Sequence, residues 1–206
     1  MSLKFTHLHV HSHYSLLDGL GKIPDLVSRA KELGMDALAI TDHGVMYGAI
    51  EFYKECLKQE IKPIIGVEAY IAPRKMTDKE TKTDGSPHHL ILLAKNEAGY
   101  KNLMKITSDA HLIGYYYKPR VDKEYLKSHS DGLIALTACL GGEIPSLIAG
   151  NQKEGIKTAV KEYQEIFGKD FYFELMHHPD YPEQVKMNKK MIEVAKEFNV
   201  PLVATN

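Results

Sequence analysis

Alternating histidines near the start of the chain are its most distinctive chemical feature. The chain contains 11 histidines, and every second residue from His7 to His13 is one of them. Period-2 alternation is typical of a strand, and it places alternate side chains on one face. Neutral imidazole binds Zn, Mn, Fe and Ni. The spacing therefore predicts His9 and His11 as metal ligands, although a single His-x-His also occurs on ordinary polar strand faces.

Carboxylates and a further imidazole follow at positions where predicted strands end. Asp18 lies in a loop, where it is either a ligand or a turn residue before Gly19. Asp42 and His43 follow a buried strand, so Asp42 either orients His43, binds metal or begins the next helix. Glu68 lies within an apolar strand. Its burial is costly unless it is paired or bound to a cation, which favours a functional role.

Four later positions complete the candidate set. Cys139 is either a soft ligand or a small buried residue. Glu174 ends a strand close to His177, and the alternative for this pair is an exposed loop. His89 precedes its strand instead of following one. A parallel sheet would therefore place it at the opposite mouth from the other candidate ligands.

The combined donor set indicates catalysis more than structure. Histidines and carboxylates with little thiolate are typical of a catalytic metal cluster. Such a cluster activates water and neutralises a phosphoryl oxygen, so phosphate ester hydrolysis is the reaction that it serves best. Amide hydrolysis or deamination remains an alternative. The sequence has neither a P-loop nor a Gly-x-Gly-x-x-Gly motif.

Repeated βα units must position these side chains. Apolar runs predict helices between strands that we place at 5–11, 37–40, 63–71, 90–94, 132–137, 171–175 and 201–205. Such a pattern is typical of an α/β fold with a parallel sheet, either doubly wound or closed into a barrel. Because function collects at the carboxyl ends of strands, donors from many strands meet most easily at a barrel mouth. We therefore expect a barrel of about seven strands.

Composition limits the remaining possibilities. The net charge is −1, so any nucleic-acid contact must be local. Lys118 and Arg120, in the aromatic and basic stretch 113–122, are the candidates for it, although an ordinary surface loop is the favoured alternative for this stretch. No apolar run approaches the roughly 18 residues of a membrane span, and the first residues lack the apolar core of a signal peptide. With two cysteines, we expect a cytoplasmic protein.

Several motifs resemble those of the PHP (polymerase and histidinol phosphatase) family. The resemblance begins with His7–Gly19, Thr41–Gly44 and Gly66–Glu68. The later motifs are similar to the branch of the family that forms the N-terminal domain of bacterial replicative DNA polymerase III alpha subunits. They are His88–Asn96, Gly99–Leu103, Tyr115–Arg120, Leu136–Pro145 and Pro201–Asn206.

The resemblance implies a distorted seven-stranded β/α barrel with two to three divalent ions (Zn, Mn or Fe) at the C-terminal mouth of its strands. It implies that residues 1–206 form one PHP domain without palm, thumb or fingers. The family's final Asp-x-His motif would follow Asn206, so we expect the chain to be cut just before it. The implied metal ligands are His9, His11, Asp18, His43, Glu68, His89 and Cys139, with Glu174 and His177 less directly supported.

Three functions follow from the resemblance. The first is a metal-dependent phosphoesterase or 3′–5′ exonuclease that acts on DNA 3′ ends with metal-bound hydroxide, with Asp42 and His43 as catalytic residues. The second is a catalytically silent module that braces the remainder of the polymerase alpha subunit and docks a proofreading exonuclease subunit. The third is a free-standing phosphatase similar to histidinol phosphatase.

Overall fold

The strands of the fold form one mixed sheet. The computed structural model describes residues 5–205. Within that range the strands are Ala37–Ile40 (β1), Lys62–Ile71 (β2), His88–Ala94 (β3), Arg120–Val121 (β4), Leu133–Leu136 (β5), Phe171–Met176 (β6) and Leu202–Thr205 (β7).

Helices cover the outer face of this sheet. In the described range they are Ile23–Glu32 (α1), Ala49–Lys58 (α2), Thr81–Asp84 (α3), Glu97–Leu112 (α4), Lys123–Ser128 (α5), Glu143–Ala149 (α6), Lys153–Phe167 (α7) and Pro182–Phe198 (α8). A short 3-10 helix, Gly168–Asp170, precedes β6. None of the helices in residues 5–205 is both long and apolar enough to cross a bilayer.

The sheet is not all parallel, which corrects the sequence-based expectation. Its order is β1-β2-β3-β5-β6-β7, and β4 pairs with β2. β3 runs antiparallel to both β2 and β5, whereas the other pairs are parallel. The connection 72–87 contains only the four-residue helix α3, with no long helix to carry the chain back across the sheet. The chain therefore re-enters the sheet from the end at which β2 leaves it.

The predicted first strand, residues 5–11, is an irregular extended segment with a bend at His9. It contacts β1 through two backbone bonds, Ala39 N to His7 O at 2.9 Å and Thr41 N to Val10 O at 2.8 Å. Val10 N donates to Thr41 Oγ1 at 2.8 Å instead of to a backbone carbonyl. The Thr41 hydroxyl thus takes the place of a backbone carbonyl between this segment and β1, and regular strand pairing is lost.

The sheet curls into a distorted β/α barrel, as predicted. Its concave face carries the apolar interior, where Leu8 and Val203 pack with residues of β1, β2, β3, β5 and β6. Its convex face packs against the helices. Within residues 5–205, β7 pairs with β6 alone, so a seam separates it from the N-terminal segment. β1, β2, β5, β6 and β7 share one direction, so their carboxyl ends and the start of β3 lie at one mouth.

Candidate metal centre

Glu68 is the centre of the cluster at this mouth. It is 1% exposed on β2. Its Oε2 lies 2.9 Å from His11 Nε2, 3.2 Å from His43 Nδ1 and 3.3 Å from His9 Nε2. Its Oε1 lies 2.9 Å from His89 Nδ1. The two carboxylate oxygens thus face different imidazoles.

His89 reaches the cluster because β3 is antiparallel. Its partner in the ladder is Tyr70, two residues beyond Glu68 on β2. The start of β3 therefore lies at the same mouth as the ends of the parallel strands, which removes the difficulty that a parallel sheet created. Cys139 Sγ lies 3.6 Å from His89 Nδ1 and 4.0 Å from Glu68 Oε1, so the thiol borders this side of the cluster.

A tight loop brings Asp18 over the cluster. Asp18 Oδ2 lies 3.4 Å from His11 Nδ1 and 3.5 Å from His43 Nε2. Asp18 N bonds Ser15 O at 3.1 Å. A Cβ on Gly19 would lie 2.0 Å from the carbonyl oxygen of Ser12, so only glycine fits at this close approach. The half-exposed Asp18 carboxylate closes the solvent side of the cluster.

Two serines, which the sequence reasoning did not identify, support this loop. Ser15 Oγ lies 2.8 Å from His11 Nδ1 and accepts a hydrogen bond from His43 N at 3.0 Å. Ser12 donates to Asp42 through its backbone N, at 2.6 Å, and through its Oγ, at 2.8 Å. Both serines follow His11 within the first motif, and this position could have indicated that they support the ligands.

Asp42 anchors the loop, and its catalytic role stays a prediction. It is 1% exposed, and each carboxylate oxygen accepts a hydrogen bond from Ser12. Burial raises the pKa of Asp42, although these two hydrogen bonds act in the opposite direction. The carboxylate therefore acts on the cluster through Ser12, while its neighbour His43 contacts Glu68 directly.

Glu174 lies behind His9. Its Oε1 is 2.7 Å from His9 Nδ1 and accepts a hydrogen bond from Thr205 Oγ1 at 2.5 Å. A proton on His9 Nδ1 leaves the Nε2 lone pair directed at the cluster, which is how a carboxylate orients a metal-binding imidazole. Glu174 Oε2 is buried and has no hydrogen-bond partner among the described residues.

His177 does not line the cavity of the cluster, and its role as a ligand stays a prediction. It is exposed on the opposite side of the chain from Glu174, since side chains alternate along β6. Met176 and His178, which continue the Glu174 face, instead line a cavity of about 620 Å³ that contains the cluster. The cavity extends past the cluster to Arg29 on α1.

Burial and pairing shift the pKa values of the cluster in opposite directions. Burial alone would raise the pKa of Glu68, but hydrogen bonds from three histidines hold it well below its usual range. Burial opposes the charged form of His89, yet Cys139 and Glu68 raise its pKa to about 9. For His43, burial outweighs the attraction of Glu68 and lowers the pKa to about 4. Near neutral pH, without metal, Glu68 is ionised, His89 is protonated and His43 is neutral.

The donors form three overlapping groups suited to metal binding. Each group offers three ligand atoms within 4.8 Å of one another, and the groups share members. The buried Nδ1 of His43 has no hydrogen-bond partner although Glu68 is near, and a cation would satisfy it. The groups are His9–His11–Glu68, His11–Asp18–His43 and His43–Glu68–His89.

Arg120 is buried, which corrects its prediction as a nucleic-acid contact. It is 0% exposed, and its guanidinium donates to the carbonyl oxygens of Gly114, Met76, Asp78 and Asp84. A phosphate cannot reach it without displacing these bonds. Arg120 therefore ties the loop before β4 to the connection between β2 and β3.

Lys118, in contrast, is exposed beside the cluster. Its Nζ lies 5.4 Å from the centroid of the Tyr70 ring, and that ring stacks on His43 at 5.5 Å with an interplanar angle of 12°. Sequence reasoning missed Tyr70 as a wall of the site. Its spacing of two residues from Glu68, on the same face of β2, was the signal that could have identified it.

Known proteins and domain families resemble this chain over most of its length. The PHP domain profile matches residues 7–178. The chain is 50% identical over 204 residues to the DNA polymerase III subunit alpha of Borreliella burgdorferi, covering 98% of the chain, and 47% identical over 205 residues to that of Treponema pallidum, covering 99%. It spans 18% of the length of each of these relatives.

A solved structure has the same fold. It is a protein assigned as a metal-dependent phosphoesterase from Bifidobacterium adolescentis, with a TM-score of 0.62 and 14% identity, over 98% of this chain and 87% of that one. At this identity the likeness concerns the fold. Because the family profile covers most of the sequence, the chain belongs to the PHP domain family.

Proposed function

We propose that the chain is the PHP domain of a replicative DNA polymerase alpha subunit and a metal-dependent phosphodiesterase that cleaves DNA from the 3′ end. The single observation that carries the proposal is the contact of four imidazoles with the buried Glu68 carboxylate. The names of the relatives and the fold of the phosphoesterase support the same reading.

Two or three divalent ions, Zn, Mn or Fe, would be held by residues of the three donor groups. Bound ions would supply Lewis-acid stabilisation of a phosphoryl oxygen and a lowered pKa for water. The ligands that we propose are His9, His11, Asp18, His43, Glu68, His89 and Cys139.

The remaining residues of the site keep these donors in position. Glu174 fixes the His9 imidazole, Ser15 fixes His11, and Asp42 fixes the loop through Ser12. His43 is neutral near pH 7 because burial lowers its pKa to about 4. It is therefore available as a ligand or as a proton acceptor without first losing a proton.

The proposed partners are those of a replicative polymerase: the remainder of the alpha polypeptide, a DNA 3′ end and a proofreading exonuclease subunit. A cytoplasmic location belongs to the same proposal. The relatives are DNA polymerase III alpha subunits of which the chain covers 18%, and they support the first of these partners.

The test measures release of nucleotides from a 3′-labelled oligonucleotide by the metal-free chain after addition of Zn, Mn or Fe. We expect metal-dependent release that EDTA stops and that His9→Ala and Glu68→Gln abolish. Glu197→Gln, an exposed carboxylate on α8, is the matched control and should leave release unchanged.

Two results would contradict the proposal. Metal binding without release from any oligonucleotide would favour the structural module. Release of phosphate from histidinol phosphate, with no action on DNA, would instead favour the small-molecule phosphatase.

A further inference from the structure

Lys118 carries an unneutralised charge at the edge of the cluster. It is exposed, and no carboxylate within residues 5–205 forms an ion pair with it. Some lysines are paired: Lys123, for example, lies within 2.7 Å of both Glu143 and Glu162. What distinguishes Lys118 from other unpaired lysines is its place over the Tyr70 ring. The contact that the structure gives the Lys118 ammonium is the face of the Tyr70 ring, at 5.4 Å. An anion can therefore approach this ammonium without displacing a salt bridge.

The loop that presents Lys118 is held by hydrogen bonds on both sides of this residue. Tyr116 N bonds Lys118 O at 3.1 Å, which closes a tight turn. Tyr117, at the tip of this turn, has a φ of 58°, in the left-handed region that non-glycine residues rarely adopt. Below the turn, the Arg120 guanidinium ties the loop to three carbonyls of the connection between β2 and β3.

The position of Lys118 relative to the cluster fits a phosphate chain. The Lys118 ammonium and the His43 imidazole both contact the Tyr70 ring. Lys118 Nζ lies 5.4 Å from the centroid of this ring, and the centroid of the His43 ring lies 5.5 Å from it. Lys118 Nζ is therefore no farther than about 11 Å from the His43 ring. Each nucleotide of a strand adds one phosphate, so a strand that places one phosphate at the cluster carries another close enough to meet this ammonium.

We infer that Lys118 binds a backbone phosphate adjacent to the one that lies at the metal cluster, and that the site thereby selects nucleic-acid strands over phosphomonoesters and single nucleotides. Arg120 is a positioning residue for this contact, since it holds the loop without reaching the substrate. The inference rests on the proposed function, because it assigns the substrate class of the same site.

The first measurement is binding, which does not depend on cleavage. A fluorescent single-stranded thymidine oligonucleotide of about ten nucleotides is titrated with the metal-loaded chain at several KCl concentrations. Each neutralised phosphate contributes about −0.7 to the slope of log K against log salt for single strands. We expect Lys118→Gln to reduce the magnitude of the slope by about 0.7 and to weaken binding about 3- to 10-fold at low salt. Lys161→Gln, an exposed lysine on α7, should change neither value.

The second measurement compares substrates. Lys118→Gln should raise the KM for the oligonucleotide and leave the KM for bis(p-nitrophenyl) phosphate unchanged, with an unchanged melting temperature. Equal slopes for Lys118→Gln and the wild type, or no binding by the wild type, would overturn the inference. Failure of the wild type to cleave either substrate overturns the proposed function instead, and the slope difference then still decides whether Lys118 contacts phosphate.

Discussion

His9 Nδ1 lies 2.7 Å from Glu174 Oε1, and this contact bridges the seam where the curled sheet does not close. His9 belongs to the irregular N-terminal segment and Glu174 to β6. Thr205 on β7 donates to the same carboxylate oxygen. The group that orients a candidate ligand is therefore also a link between the two edges of the barrel, so metal binding and closure of the fold are expected to be coupled.

Replacement of the central carboxylate should empty the site. In Glu68→Gln, the four neighbouring imidazoles lose the charge that they share, and a neutral amide is a poor bridge between cations. We expect metal affinity to fall by at least about 100-fold, since even the loss of outer partners costs 10- to 100-fold. Elemental analysis of the dialysed protein measures the result, with Glu197→Gln as control. Unchanged metal content in Glu68→Gln would show that the cluster is held by other residues.

The metal-free protein should be most stable near pH 6.5. The pKa of His43 is lowered to about 4 in the folded chain, so the unfolded chain binds more protons between about 6.5 and 4, and stability falls as pH falls through this window. The pKa of His89 is raised to about 9, so its contribution is complete below 6.5 and is lost as pH rises to about 9.

Thermal melts in EDTA across pH 4 to 9 test this expectation. Zinc binding requires neutral imidazole, so excess zinc should abolish the alkaline decline. His89→Asn should reduce the same decline in EDTA. A metal-free protein whose melting temperature rises steadily from pH 6.5 to 9 would show that His89 is not held in its charged form.

Arg120 should matter for stability more than for direct substrate contact. Arg120→Met leaves four carbonyl oxygens without their donor, and each unsatisfied buried group costs about 1–3 kcal/mol. We expect a loss of about 3 kcal/mol or more in the free energy of unfolding, measured by urea denaturation. Lys118→Gln, two residues away and exposed, is the matched control and should change stability by less than about 0.5 kcal/mol. Equal stability of the two variants would contradict the buried role of Arg120.

Gly19 should accept no side chain. In Gly19→Ala the new Cβ would lie 2.0 Å from the Ser12 carbonyl oxygen, a backbone atom, so the loop that carries Asp18 must move. We expect a loss of about 1–3 kcal/mol in stability together with weaker metal binding. Gly155→Ala, within α7, provides the comparison: its Cβ would meet the end of the flexible Leu147 side chain, and helix propensity favours alanine. If both variants retain full metal content, Asp18 is not a ligand.

The sequence was sufficient for the fold class and for much of the chemistry, because patterning and residue type are local properties. It could not determine strand direction, and for that reason His89 seemed misplaced until β3 proved antiparallel. It also could not distinguish an exposed cation from a buried one, so Lys118 and Arg120 were grouped although their surroundings differ. His178, not His177, lines the cavity, as continued alternation from Glu174 would have predicted.

The antiparallel pairing of β2 with β3 fixes the positions of Glu68 and His89 relative to each other, because Tyr70 lies opposite His89 in the ladder. Both donors lie inside the ladder, and the connection 72–87 lies outside it. Insertions and deletions in this connection are therefore expected to be tolerated during evolution without displacing a ligand, provided that they spare the three carbonyls bound by Arg120. A slip of one residue in the ladder, in contrast, would turn the side chain of Glu68 toward the helices and remove it from the barrel.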